Sequence, residues 1–182
     1  WDPAINTEFD ALFKQGTFEP VLRRDVPKKK KVKRLKSVYK LKTTRDGEID
    51  KAKCRVVVRG FELTPNDEYH HSHSSVLAAA NLRMLFYIAV QTGEDLSSAD
   101  VGNAYLEADL DEEVYVEQHP LYTIPGKPAA DYVLRLRKCL YGLPQAGRGY
   151  QRAYNKLMHE AGFKQIGGEC CMFIKVDPEH GR

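Results

Sequence analysis

"SADVGNAYLEADLDEEVYVEQ", residues 98–118, sets one carboxylate, Asp100, at the end of a short apolar run. Val101, Gly102, Asn103 and Ala104 follow, all small or slim, then Tyr105, then a burst of acid. A carboxylate at the exposed end of a central strand suits Mg²⁺, which takes one or two carboxylates and shares phosphate oxygens. The small residues beside it let backbone N–H groups approach a phosphate closely. The flat ring of Tyr105 suits stacking under a sugar. Taken alone, the same residues also describe a strand-end cap or a surface acid, so the rest of the chain has to decide.

The elements on either side define an α+β class. Ile5, Phe9, Leu12 and Phe13 recur at helical spacing and Gly16 stops the run, which predicts a helix over 2–15. Residues 17–22 read as extended and the basic run 23–36 as loop. The segments 37–44 and 51–60 alternate on either side of Asp46-Gly47, a strong hairpin signal. One face of that hairpin carries Lys40, Lys42, Lys53 and Arg55 among its candidates. Residues 64–75 read as loop, with Ser74 or Ser75 capping a helix over 76–91 that Gly93 ends. Strands are expected at 96–100, 113–118, 132–140 and 169–177. A turn-rich segment after 140 leads into a helix striped by Tyr150, Ala153, Tyr154, Leu157, Met158 and Ala161. The sum is a mixed or antiparallel sheet packed by helices.

Composition narrows the class further. The 182 residues are 42% hydrophobic and 29% charged, a globular rather than disordered balance. No apolar run reaches the length of a membrane span, so no membrane partner is expected, and the N-terminus is no signal peptide. Cys54, Cys139, Cys170 and Cys171 form no CxxC pair and read as reduced structural thiols. The net charge of +3 hides an asymmetry: twelve Lys/Arg against one acid between Arg23 and Arg45, and nine Asp/Glu with no Lys/Arg between Glu94 and His119. Two complementary solvated faces explain that charge pattern by itself; a polyanion with divalent cations explains it too. "PKKKKVKR" (27–34) reads as a solvated or phosphate-facing loop rather than a localisation signal, and His70, His71 and His73 as loop histidines. The acids from Glu107 to Glu113 read as a solvated turn. Trp1 stands where a natural start would have Met, which predicts a piece of a longer polyprotein.

Read together, these segments resemble the reverse transcriptase domain of Ty1/copia-type retrotransposons, nearly end to end. The likeness runs through "WDPAINTEFDALFKQGTFEPV", "SVYKLKTTRDGEIDKAKCRVVVRGF", "NLRMLFYIAVQTGEDLSSADVGNAYLEADLDEEVYVEQHP" and "YVLRLRKCLYGLPQAGRGYQRAYNKLMHEAGF". Several motifs in the right order make it specific. The resemblance implies reverse-transcriptase-like fingers over 1–95, with the basic hairpin at 37–60. It implies the first part of a palm over 96–182, with a fingers-returning segment at about 138–150. Asp100 would be the first catalytic aspartate and a ligand of two metal ions, Mg²⁺ with Mn²⁺ as the substitute, and the Val101 carbonyl would join it. Tyr105 would be the gate that excludes a 2′-hydroxyl, with Gly102 beside the nucleotide. Lys40 and Arg55 would hold the triphosphate, Gln145 would lie by the sugar, and Arg148 would support the same site.

The family also carries two further aspartates in a Tyr-x-Asp-Asp turn, and the 182 residues contain no such motif. The expectation is therefore a polymerase fragment that is inactive alone; the alternatives are a non-catalytic nucleic-acid-binding remnant and a decayed relic. Smaller departures are Ser75, Gly147 and Gly149, where the family favours Pro, Pro and Trp; they bear on the helix entry near 148. The implied partners are an RNA or DNA template-primer, deoxynucleoside triphosphates and the rest of the polyprotein, with its remaining palm and RNase H. The implied location is a cytoplasmic virus-like particle, with the nucleus as the alternative.

Overall fold

The computed structural model describes residues 1–65, 68–122, 124–167 and 171–176. It is a mixed helix and antiparallel-sheet fold. Helix α1 (Asp2–Lys14) leads into strand β1 (Phe18–Leu22); the long hairpin β2 (Leu35–Thr43) and β3 (Ile49–Val58) follows. After helix α2 (Ala79–Thr92) come the short strand β4 (Tyr115–Val116), β5 (Tyr132–Leu136), helix α3 (Ala146–Glu160) and the pair β6 (Lys164–Gln165) and β7 (Phe173–Ile174). β1, β5 and β4 form one antiparallel sheet in that order, β2 and β3 a second, β6 and β7 a third. Of the strand expected at 169–177, Glu169, Cys170 and Asp177 lie outside the described residues.

The core forms where the apolar side of α1 meets the hairpin base and the three-stranded sheet. Ile5, Phe9 and Leu12 of α1 are buried with Leu35, Cys54, Val56 and Val58 of the hairpin and Leu134 and Leu136 of β5. Phe9 stacks on Tyr122 at 4.4 Å. Each such fully buried side chain contributes about 1.5–3 kcal/mol of apolar transfer. Cys54 and Cys139 are buried thiols within this core, and burial pushes Cys139 up to about 11. Both are inert under ordinary conditions, in line with a structural role.

Lys33 departs from the solvated-loop expectation for residues 23–36. Its backbone adds to the sheet: its N–H donates to the Tyr115 carbonyl and its carbonyl accepts from Glu117 N–H, both at 2.8 Å. That extended pairing turns its side chain inward. Nζ donates to the Glu62 carbonyl at 2.7 Å and to Glu68 Oε2 at 2.8 Å. Burial would raise the Glu68 carboxyl, but Lys33 and the Thr64 N–H outweigh it and hold it below its ordinary value. A buried ion pair of this kind fixes position more than it adds stability.

Glycine decides how the hairpin docks. Val58 N–H donates to the Tyr141 carbonyl at 2.8 Å, so the base of β3 lies backbone to backbone on the segment before α3. Gly142 has φ +91°, and a Cβ there would overlap the Val58 carbonyl; a Cβ on Gly60 would overlap the Gly142 carbonyl.

Two helix expectations need correction. α2 starts at Ala79, and Ala78 rather than a serine stands at its N-cap, without a side-chain bond. Ser74 and Ser75 are instead drawn to α3: Ser75 N–H donates to Gln151 Oε1 at 3.0 Å. α3 starts at Ala146, so Gly147 and Gly149 lie inside its first turns, where Gly149 packs against Cys139 Sγ.

Two outcomes check this description. Gly142→Ala places a side chain in a left-handed conformation against backbone and should cost at least about 2 kcal/mol in urea unfolding. Gly126→Ala, at φ +71° with nothing within 4 Å of its Cβ, should cost less. The second concerns His119, whose Nδ1 accepts from Leu121 N–H at 3.2 Å, leaving Nε2 to donate to Ser37 Oγ at 2.9 Å. Burial pushes this neutral ring below the usual histidine value of 6.5. The stability it contributes is complete above pH 6.5 and is lost as pH falls through the lowered folded value. Urea midpoints should therefore drop between about pH 7.5 and 5.5, and drop less in His119→Gln.

Candidate functional site

The hairpin register sorts its side chains cleanly. Val38 faces Arg55, Lys40 faces Lys53, Lys42 faces Lys51 and Lys36 faces Val57. Because alternate residues share a face, Lys36, Lys40, Lys42, Lys51, Lys53 and Arg55 all stand on one side. On the other side Cys54 and Val56 are buried against α1. Like charges directly opposite each other destabilise a strand pair. None of these six cations has an ion-pair partner among the described residues. Glu8 of α1 is the nearest restraint: burial raises its carboxyl, and Val56 N–H with the Lys53 and Arg55 charges partly offsets that. A face of this kind is suited to a polyanion.

The docked hairpin base carries Arg55 to a row of aromatic rings. The Arg55 guanidinium lies 5.1 Å from the centre of the Tyr141 ring. Tyr141 meets Tyr105 edge-on at 4.8 Å, and Tyr105 meets Tyr150 at 6.4 Å. Tyr105 rides on a short 3₁₀ turn, Ala104–Glu107, which Asn103 enters in the left-handed conformation with φ 54°. Leu106 and Ala108 of that stretch are buried, and Ala108 accepts from Cys139 N–H at 2.8 Å, which anchors the turn beside the segment after β5. Burial first, then the charges of Tyr154, Asp100 and Glu107, push the Tyr150 phenol up, so Asp100 lies within electrostatic reach of the same row.

Asp100 itself is exposed, as are Val101 and Gly102. The strand expected at 96–100 does not form: residues 94–101 carry no ladder. Among the described residues no strand lies alongside to accept its backbone hydrogen bonds, and an isolated strand is not stable in water. Nor do three His, Cys, Asp or Glu side chains gather to hold a metal ion among the described residues.

Gln145 and Arg148 sit at the start of α3. Gln145 is buried at its N-cap without a capping bond; Nε2 donates to Glu112 Oε2 at a long 3.4 Å and Oε1 has no partner among the described residues. Both residues line a cavity of about 130 Å³ with His71, Asp111 and Glu112, whereas Tyr105 and Asp100 do not line it. The acidic stretch is largely exposed, as its composition implied, yet several of its acids have partners. Asp109 pairs with Lys138 at 3.2 Å, Asp111 with Arg152, and Glu113 accepts from the Tyr115 hydroxyl at 2.7 Å.

Sequence reading missed Tyr141 and Tyr150 as members of the row, and Lys36 and Lys51 as members of the basic face. Strict alternation across the turn was signal enough for the two lysines. The tyrosines join only through contacts between distant segments, which no local pattern encodes.

The chain matches the family described as reverse transcriptase (RNA-dependent DNA polymerase) over residues 19–181. It is 31% identical over 172 residues to the retrovirus-related Pol polyprotein from transposon TNT 1-94 of Nicotiana tabacum. It is 28% and 27% identical over 174 residues to the corresponding polyproteins from transposons RE2 and RE1 of Arabidopsis thaliana. These alignments cover 94–96% of this chain but only 12–13% of each relative. No solved structure matches the chain significantly.

The crowded cations give a direct test of the basic face. At low salt, tripolyphosphate should raise the melting temperature by more than sodium chloride of equal ionic strength does, because a bound anion relieves the opposed lysines. Replacing Lys40 and Lys53 together with Gln should remove that difference. An equal response in the double variant would place the anion elsewhere.

Proposed function

Because the chain belongs to the reverse transcriptase (RNA-dependent DNA polymerase) family, we propose that it is the nucleotide-binding part of an RNA-directed DNA polymerase from a Ty1/copia-type retrotransposon polyprotein. In this reading residues 1–95 are fingers, with the hairpin as their basic arm, and 96–182 begin the palm. Lys40 and Arg55 hold the triphosphate of the incoming nucleotide. Tyr105 lies against the sugar and leaves no room for a 2′-hydroxyl. Gln145 and Arg148 flank the site from the start of α3. The partners are an RNA or DNA template-primer and deoxynucleoside triphosphates.

One observation supports the reading above the others. Arg55 and Tyr105, separated by 50 residues, both contact a single ring, Tyr141. A phosphate-binding cation and a sugar-facing ring held about that close are what a nucleoside triphosphate requires. The family uses divalent metal ions. Asp100 is assigned as one carboxylate of that set, with the Val101 carbonyl beside it and Mg²⁺ as the ion; the residues described around it do not complete the set.

The apolar surface fits a part of a larger assembly. Along α2, Leu82, Met84, Phe86, Tyr87 and Val90 are exposed, and so are Tyr154 and Leu157 of the α3 stripe. Contiguous exposed apolar faces of this kind mark contact surfaces. The remainder of the polyprotein is the partner this reading assigns to them, in a virus-like particle.

Primer extension on an RNA template, by the full-length polymerase that carries this domain, tests the assignment. Asp100→Asn should lower extension by roughly a hundredfold or more, while salt-dependent RNA binding stays within about twofold. Extension that survives the substitution would remove Asp100 from the catalytic set. RNA binding without extension in either protein would favour a non-catalytic binding remnant.

A further inference from the structure

We propose that Tyr141 is a positioning residue that sets two properties at once: the reach of Arg55 toward the triphosphate and the stance of Tyr105 against the sugar. The inference rests on the nucleotide-site reading above and deepens it.

Three contacts carry it. The Arg55 guanidinium lies 5.1 Å from the Tyr141 ring centre, within the distance at which a cation is drawn to an aromatic face. Tyr105 meets the same ring at 4.8 Å and 61°, an edge-to-face pair. The Tyr141 backbone is fixed as well, because its carbonyl accepts from Val58 N–H at 2.8 Å and Gly142 beside it packs against Val58. The backbone that carries the ring is therefore tied to the hairpin base, so the ring keeps its place beside Arg55 while it meets Tyr105.

Arg55 makes no ion pair among the described residues and senses Glu8 only as a nearby charge, so the ring is the direct contact that restrains an otherwise long and flexible side chain. Holding it in place before the nucleotide arrives lowers the ordering cost of binding. The other ring beside Tyr105, Tyr150, is farther away at 6.4 Å. Without Tyr141 its ring gains room to turn from the sugar, and the exclusion of a 2′-hydroxyl weakens. The Tyr141 hydroxyl makes no hydrogen bond among the described residues, so the ring and not its polar end is the working part.

The test is single-nucleotide incorporation of dTTP and UTP by the full-length polymerase on an RNA template. In Tyr141→Leu the KM for dTTP should rise by roughly threefold to tenfold with kcat changed much less, and the preference for dTTP over UTP should fall by a similar factor. Tyr141→Phe should stay within about twofold of the parent in both. Tyr141→Met, which fills similar space without a π face, should behave as Leu does and stands in if the Leu variant does not fold. Combining Tyr141→Leu with Arg55→Met should give less than the summed effect on KM.

Unchanged KM and selectivity in both ring-deleted variants would overturn the proposal. So would a Phe variant as impaired as Leu, because that would assign the effect to the hydroxyl. Tyr105→Ala separates the levels. If it admits UTP while the Tyr141 variants stay silent, only the positioning role falls; if it leaves selectivity unchanged, the gate reading falls and the proposal with it.

Discussion

The arrangement depends on a contact between two stretches of bare backbone. Val58 N–H reaches the Tyr141 carbonyl, and Gly60 and Gly142 remove the side chains that would hold the strands apart. No apolar surface achieves this approach; only the absence of Cβ atoms does. Once β3 is seated there, the alternation of the strand puts Arg55, three residues before Val58, on the face opposite the buried Val56. From that face it meets the Tyr141 ring. The basic face and the aromatic row are thus two consequences of one docking.

The charge asymmetry acquires a structural meaning on the same frame. The acids of the 107–113 stretch are partly consumed within the fold, by Lys138, Arg152 and the Tyr115 hydroxyl. The cations of the hairpin are not, and the register sets two lysine pairs against each other. A hairpin that leaves its cations opposed favours an external anion. Lys33 shows the contrast. It belongs to the same basic run, yet it is turned into the interior by its backbone pairing and matched by Glu68.

Much of this was legible in the sequence. The helix over Asp2–Lys14, the hairpin around Asp46-Gly47 and the strand at Tyr132–Leu136 follow from local periodicity and turn chemistry, which depend little on the rest of the chain. The family was legible because several motifs occur in order. The strand expected at 96–100 does not form, because a strand exists only if a neighbour completes its hydrogen bonds, and apolar pattern alone does not supply one. The serine cap failed for a related reason: Gln151 of α3 claims the backbone of Ser75. Tyr141 was invisible because its importance lies in what it touches across the fold. Gln145 was recognised from its motif, but its burial beside Glu112 was not.

The most direct measurement is hydrogen–deuterium exchange of the full-length polymerase on a template-primer, with and without the matching deoxynucleoside triphosphate. The account predicts that bound nucleotide slows exchange jointly in peptides spanning 51–60 and 138–146, because the hairpin base and the Tyr141 segment hold it as one unit. Protection in only one of these segments, or in neither while nucleotide binds elsewhere, would contradict the claim that they form a single nucleotide site.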